Sequence, residues 1–229
     1  MAVRPVIDLH THSAASDGTD PPEAIPRLAA EAGLSAVALT DHDTLAGIPE
    51  ATRAAAAVGV ELVPGVELSV RHGEAKLHLL VYFLEPDDGP LQRRLAELRA
   101  GRSERNVEIL RRLAALGYPL ELDEVLAQAK GDAVGRPHIA DALVARGWFP
   151  DRSAAFAALL RDGGPAYVER RRLEAVEAIE LAAASGAVAA VAHPSTISAN
   201  RAGYADLFRS LAEVGLVGIE VDHPEHDPA

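Results

Sequence analysis

Six short apolar runs, at residues 6–9, 36–39, 60–66, 77–83, 188–192 and 217–221, restrict the fold of this chain more than any other feature. Each is too short for a helix of ordinary length and rich in β-branched side chains, so each reads as a buried strand. Between several of them lie helical stretches: 22–32 after a Thr-Asp-Pro start signal, 48–58, 173–184 ended by Gly186, and 202–214 ended by Gly215. Alternating strand and helix predicts an α/β fold with a parallel sheet or barrel. The alternation breaks after Glu85. From there Leu91, Leu95, Leu98, Ile109, Leu110, Leu113 and Leu116 recur at helical spacing, and no convincing strand appears before about Pro165. The expected organisation is a discontinuous barrel domain, residues 1–85 and 166–229, holding an all-helical insertion at 86–165. Glu85-Pro86-Asp87-Asp88-Gly89-Pro90 and Asp162-Gly163-Gly164-Pro165 are its entry and exit linkers.

Composition removes several classes of function. A chain of 229 residues supports one main core with room for one excursion. Cysteine is absent, which excludes disulfides, thiolate nucleophiles and thiolate-held metals. Any metal must be held by nitrogen and oxygen. The formal charge of −12 repels duplex DNA over most of the surface, although cations bound in a cleft would reverse the sign locally. No apolar run approaches the roughly 20 residues of a membrane span, and the first ten residues carry no signal-peptide core, so a cytoplasmic protein is expected.

Against that background the strand ends stand out. His10-Thr11-His12 closes the first run, and residues two apart on a strand share a face, so the two imidazoles converge. Taken alone, that pair is as compatible with a satisfied core as with a metal. Its surroundings favour the metal: Asp17 follows in a Ser-Asp-Gly turn, and Thr40-Asp41-His42-Asp43 stands just after the second run, where barrels place their active-site loops. The third run ends in Pro64-Gly65-Val66-Glu67, the next begins around His78, and the fifth ends in Ala192-His193-Pro194. A buried glutamate calls for a compensating cation. His10, His12, Asp17, His42, Glu67, His78 and His193 are too many for one ion of four to six ligands, so two to three divalent ions are expected. Imidazole with carboxylate suits Mn, Zn or Fe.

These motifs, taken together, resemble those of the polymerase-and-histidinol-phosphatase (PHP) superfamily, and the match runs nearly end to end. Gly135-Arg136-Pro137-His138 in the insertion and the ending Gly218-Ile219-Glu220-Val221-Asp222-His223-Pro224 resemble its nucleotide phosphoesterase branch. The resemblance implies a distorted (β/α)7 barrel with three ions: one held by His10, His12 and Glu67, a second by Glu67, His78 and His193, a third by Asp17 and His42. Members of the branch usually continue to a last strand with an Asp/His motif that is absent here, so the barrel is expected to be C-terminally incomplete and the chain a fragment.

The expected reaction is in-line attack of a metal-bound hydroxide on a nucleotide phosphomonoester, a 3′,5′-nucleoside bisphosphate or a 5′-monophosphate. Arg136 and His138 would bind its phosphate at a helix start, and His193 or His223 would serve as general acid. Without the metal motifs, solvated side chains at an ordinary helix start would be the plainer account of Arg136 and His138. Most insertion arginines, among them Arg93, Arg99, Arg102, Arg111 and Arg112, read as an exposed charged face, and Arg170-Arg171-Arg172 as a basic surface turn. Trp148 and Phe149 read as packing rather than base stacking. Three other functions share the pattern: a 5′-3′ exoribonuclease on short RNA, a histidinol-phosphatase, against which the insertion argues, and a non-catalytic metal-binding module.

Overall fold

The computed structural model describes residues 6–129, 134–169, 172–197 and 201–223. Arg170, Arg171, the residues from Pro224 onward and the side chain of Arg102 lie outside that description. Two compact units divide the chain, Met1–Leu95 with Arg172–Ala229 and Ala96–Arg171.

In the first unit the sheet follows the order β1 (Ile7–Thr11), β2 (Ala36–Leu39), β3 (Glu61–His72), β4 (Ala75–Tyr82), β6 (Val188–Val191) and β7 (Gly218–Ile219), and β5 (Leu173–Glu174) pairs with the far end of β3. The pairs β1–β2, β2–β3 and β6–β7 are parallel, whereas β3–β4 and β4–β6 are antiparallel. The sheet is therefore mixed, with an antiparallel hairpin between its parallel pairs. Strand β3 does not stop at Glu67 but runs on to His72, turns at Gly73-Glu74 and returns as β4, so His78 stands opposite Ser69 within a hairpin. The polar Glu67 reads as a strand terminus, yet Leu68 and Val70 behind it are fully buried and carry the pairing onward.

The hairpin sorts its side chains by face. Residues directly opposite one another share a face, so Val66 with Val81, Leu68 with Leu79 and Val70 with Leu77 form an apolar layer, and Glu67 with Leu80 and Ser69 with His78 form the other. Helix α7 (Ala175–Ala184) lies against β3 and β6 and buries Ala175, Ala178, Ile179 and Ala182, the i, i+3, i+4, i+7 stripe of an amphipathic helix. Helix α2 (Ile48–Val58) lies on β3 through Ile48, Ala51, Ala54 and Ala55. Alanine on both helices lets them approach the sheet closely, and the bulky partners Leu68 and Leu79 come from the strands. Each such leucine is worth about 1.5–3 kcal/mol of burial. Helix α2 stops at Gly59, whose φ of 74° caps the last turn while its N–H reaches the Ala55 carbonyl. Helices α1 (Ala24–Glu31) and α8 (Arg201–Glu213) complete the unit.

The sheet is curled. Strands β1 and β7 stand at opposite ends of the pairing order, and in a flat sheet five spacings of about 4.8 Å would hold them about 24 Å apart. Instead the His10 ring at the end of β1 touches the Glu220 carboxylate just after β7, at 2.9 Å. The strands therefore form part of a barrel, and the side chains at their ends point inward to one place.

The second unit is helical. Helix α3 (Pro90–Ala115) starts in the first unit, where Leu91 and Leu95 are buried, and supplies Ile109 and Leu113 to the second. With α4 (Leu122–Leu126), α5 (Arg136–Ala145), α6 (Arg152–Ala155) and a π-helical turn at Phe156–Leu160, it encloses a separate core of Ile109, Leu113, Val125, Ile139, Leu143 and Leu160. Trp148 and Phe149 pack on that core beside Tyr118.

Gly65 on β3 tests how tightly the curl is packed. A methyl group added there would meet the Val81 carbonyl oxygen at 2.7 Å and Thr40 Cγ2 at 3.2 Å. Gly65→Ala is expected to lower the unfolding free energy by about 1–3 kcal/mol, read as a lower urea midpoint at unchanged slope. An unaltered midpoint would mean that β2 and β4 yield freely around this position.

Candidate metal centre

Glu67 is the anchor. Its side chain is 1% exposed, and its backbone is pinned from both sides: its N–H donates to the Thr40 carbonyl at 3.1 Å, and its own carbonyl accepts from Asp43 N–H at 3.0 Å. That bridge brings the loop after β2, with His42, against β3. Asp43 takes a left-handed backbone, φ 53°, to complete the turn, and its carboxylate accepts from Ser69 N–H.

Five imidazoles surround the one carboxylate. Around Oε2 stand His10 Nε2 at 3.2 Å, His12 Nε2 at 3.1 Å and His42 Nδ1 at 3.2 Å. Around Oε1 stand His78 Nδ1 at 2.7 Å and His193 Nε2 at 2.8 Å. A carboxylate has about four lone-pair sites, so this is more than it can accept from. His42 Nδ1 is buried and makes no hydrogen bond, because its approach to Oε2 is off the required line. His10 Nε2 and His12 Nε2 face each other at 3.1 Å, an approach that requires the two rings either to share one proton or to meet on one cation.

A cation resolves each of these conflicts. Ligand atoms about 2.1 Å from a shared ion lie about 3.0 Å apart at octahedral angles and about 3.4 Å apart at tetrahedral ones. The triangle of His10 Nε2, His12 Nε2 and Glu67 Oε2, with edges of 3.1–3.2 Å, falls within that span. Three further groups have ligand atoms near enough to share an ion: His42, Glu67 and His78; His12, Asp17 and His42; and His10, Glu220 and His223. Asp17, the most exposed of these, lies 3.4 Å from His12 and 3.5 Å from His42. The donor set is nitrogen and oxygen throughout, and the residues present fit divalent ions.

The protonation of the bare cluster points the same way. Burial would push the Glu67 carboxyl up, but hydrogen bonds from His10, His12, His193 and His78 outweigh it and hold the group far below the ordinary carboxylate range. Burial likewise works against a charged His10, yet Glu67 and Glu220 hold its pKa at about 9. The Glu67 hydrogen bond raises His193, whereas burial lowers His42.

Local structure around the ligands is specific. Asp41, 1% exposed, accepts from Ser13 N–H at 2.7 Å, the Ser13 hydroxyl at 2.6 Å and the Ser16 hydroxyl at 2.6 Å. It thereby folds the 13–18 loop that carries Asp17 beside His12. Glu220 accepts from His10 Nδ1 at 2.9 Å and from His193 N–H at 2.6 Å. His223 lies with its ring centroid 5.6 Å from that of His10 and 5.3 Å from that of His193. The structure therefore gathers His10, His12, Asp17, His42, Glu67, His78, His193 and His223. Asp41 and Glu220 were not singled out from sequence. In the sequence Glu220 comes after Val217-Gly218-Ile219 as Glu67 comes after Pro64-Gly65-Val66, and that parallel was the available signal.

Arg136 and His138 belong to the helical unit and have partners inside it. The Arg136 guanidinium donates to the Leu160 carbonyl and the Asp162 carboxylate, both at 2.8 Å, and lies over the Phe156 and Tyr167 rings. His138 Nδ1 accepts from Gly135 N–H at 3.1 Å, the reciprocal half of a helix start. Arg111 and Arg112 pair with Glu108 one turn away, as expected of a charged helix face.

Comparison with known proteins gives the same picture. Residues 8–214 match the PHP domain family model. A 5′-3′ exoribonuclease of Haemophilus influenzae is 37% identical over 187 residues, 82% of this chain and 68% of the relative. A 3′,5′-nucleoside bisphosphate phosphatase of Chromobacterium violaceum is 34% identical over 222 residues, 96% of this chain and 78% of the relative. Among solved structures, a protein of Bifidobacterium adolescentis assigned as a metal-dependent phosphoesterase superimposes with a TM-score of 0.85 at 34% identity, over 99% of this chain and 80% of that one. The chain belongs to the PHP domain family and is a metal-dependent phosphoester hydrolase.

Proposed function

We propose that the chain hydrolyses a nucleotide phosphomonoester, a 3′,5′-nucleoside bisphosphate or a nucleoside 5′-monophosphate, at a centre of two to three Mn, Zn or Fe ions. The observation that carries this reading is the single buried Glu67 carboxylate with imidazoles crowded around both of its oxygens. His10, His12 and Glu67 would hold one ion, Glu67, His78 and His193 a second, and Asp17 with His42 a third. When bound, such ions neutralise phosphoryl charge and activate water at neutral pH.

The residues of the chain contribute the rest. Glu67 turns one oxygen toward His10 and His12 and the other toward His78 and His193, so its carboxylate would serve both of the first two ions. The imidazoles are neutral ligands, which keeps the centre net positive and attractive to a phosphate dianion despite the overall charge of −12. His193 and His223 are the candidates to protonate the leaving oxygen. His193 has Glu67 at one ring nitrogen and Thr196 at the other. From the helical unit, Arg136 and His138 are proposed to take the substrate phosphate.

A second reading, 5′-3′ exoribonuclease action on short RNA, is favoured by the 37% identity to the Haemophilus influenzae enzyme and would use the same ions. Incubation with a 3′,5′-nucleoside bisphosphate and with a 5′-phosphorylated oligoribonucleotide separates the two. Release of inorganic phosphate from the first without shortening of the second is expected. Processive loss of 5′ nucleotides would move the assignment to RNA.

Chelation should abolish turnover, and Mn²⁺ should restore it. Glu67→Gln, which keeps the volume but weakens two ligand positions, is expected to lower kcat/KM by about 100-fold or more and to reduce the number of ions retained after dialysis, counted by elemental analysis. Full activity in the chelated protein would sink the metal reading.

A further inference from the structure

Glu220 uses both oxygens within the ligand cluster. Its Oε1 stands 2.9 Å from His10 Nδ1, and its Oε2 accepts His193 N–H at 2.6 Å. Its own N–H donates to the Val191 carbonyl at 2.8 Å, so the residue is held at the end of β7 by backbone pairing, and its side chain is 11% exposed. We propose that Glu220 is a positioning residue for the metal centre, fixing the ring of one ligand, His10, and the backbone of another, His193. The proposal rests on the metal-centre reading above and adds a residue to it.

The chemistry follows from what each atom can do. An ionised carboxylate only accepts, so His10 Nδ1 must carry a hydrogen. In the neutral ring the lone pair is then on Nε2, the nitrogen that faces Glu67 Oε2 at 3.2 Å and His12 Nε2 at 3.1 Å. A carboxylate behind a ligating imidazole orients the ring and strengthens it as a donor. At His193 the task concerns the main chain. Its φ of 25° and ψ of 64° lie in the left-handed region, costly for a residue with a Cβ, and the short bond from its N–H to Glu220 holds that conformation. Thr196 completes the ring's orientation: its hydroxyl donates to the His193 carbonyl at 3.0 Å, so its oxygen accepts from Nδ1 at 2.9 Å. That leaves Nε2 aimed at Glu67 Oε1 at 2.8 Å.

Glu220 also lies near enough to His10 and His223 to join them around an ion. Two features weigh against that role. It touches His10 at the nitrogen opposite the one that meets Glu67 and His12, and a ring giving both nitrogens to ions would have to be an imidazolate. Its two oxygens also already accept from His10 Nδ1 and His193 N–H, hydrogen bonds that a bound ion would have to share.

The test uses the full chain, Zn²⁺ as the probe and Glu220→Gln as the variant. Glutamine has the same length but one acceptor in place of two, so either His10 Nδ1–H or His193 N–H meets an NH₂ group. Zn²⁺ titration by calorimetry without substrate is expected to show 10–100-fold weaker binding in the variant at unchanged stoichiometry, with thermal melting of the metal-free proteins as the check on folding. Imidazole ¹⁵N spectra of the Zn²⁺-loaded wild type, which need no variant, should show His10 bound through Nε2 with a slowly exchanging Nδ1–H. Wild-type affinity in a folded Glu220→Gln protein, loss of one whole ion at unchanged affinity for the others, or His10 bound through Nδ1 would each overturn the proposal. Failure of the wild type to bind Zn²⁺ at all would instead overturn the metal reading on which it rests.

Discussion

One buried carboxylate organises this molecule. A glutamate as deeply placed as Glu67 would normally be neutral or paired, because desolvation of its charge costs several kcal/mol. Here the compensation comes from His10, His12, His78 and His193, drawn from β1, the loop after it, β4 and the end of β6. No local segment can satisfy Glu67 alone. Its ionised state therefore depends on the sheet being paired in order and curled, which ties the electrostatics of the site to the fold of the whole unit.

The curl follows from how the strands divide their faces. On β3 and β4 the layer beneath the alanine-rich helices is aliphatic, from Val66 and Leu68 to Leu79 and Val81, while the opposite layer carries Glu67, Ser69 and His78. The antiparallel return at Gly73 is essential to this arrangement. It brings His78 back along β3 to stand two residue pairs from Glu67 and on the same face, which a parallel strand beginning after a crossover would not do at this position. The ion pair between His10 and Glu220 then joins the first strand of the order to the last.

Much of this was legible in the chain, for physical reasons particular to each element. His10, His42 and His193 were readable because parallel strands deliver their carboxyl ends to one face of a barrel, so a histidine just after an apolar run is already located. The helical stretch after Glu85 was readable from its leucine spacing, which changes period. The hairpin was not legible in this way. Ser69 and Arg71 interrupt the hydrophobic pattern of β3, and a polar Glu67 within a strand looks identical to one at its end. Asp41 and Glu220 were missed because they act through other residues: a carboxylate that binds two serines, or an imidazole and an amide, has no spacing rule in sequence. Arg136 was noticed for its place at a helix start, but its bonds to Leu160 and Asp162 depend on a turn 24 residues away.

Backbone strain is distributed as the chemistry would require. Among the described residues, Asp43, Phe83 and His193 are the non-glycine positions with positive φ. Two of them lie in the loops that deliver His42 and His193, and both are held by partners from other strands: Asp43 by Glu67 and Ser69, His193 by Glu220. A left-handed residue costs about 1–2 kcal/mol, which an isolated loop would relieve by relaxing to an ordinary conformation. Relaxation here would break a hydrogen bond to the carboxylate network at the same time, so the strained geometry persists only while the network is intact. Ligand direction and sheet closure are thus one cooperative property, because the groups that bend the loops are the groups that hold the strands together.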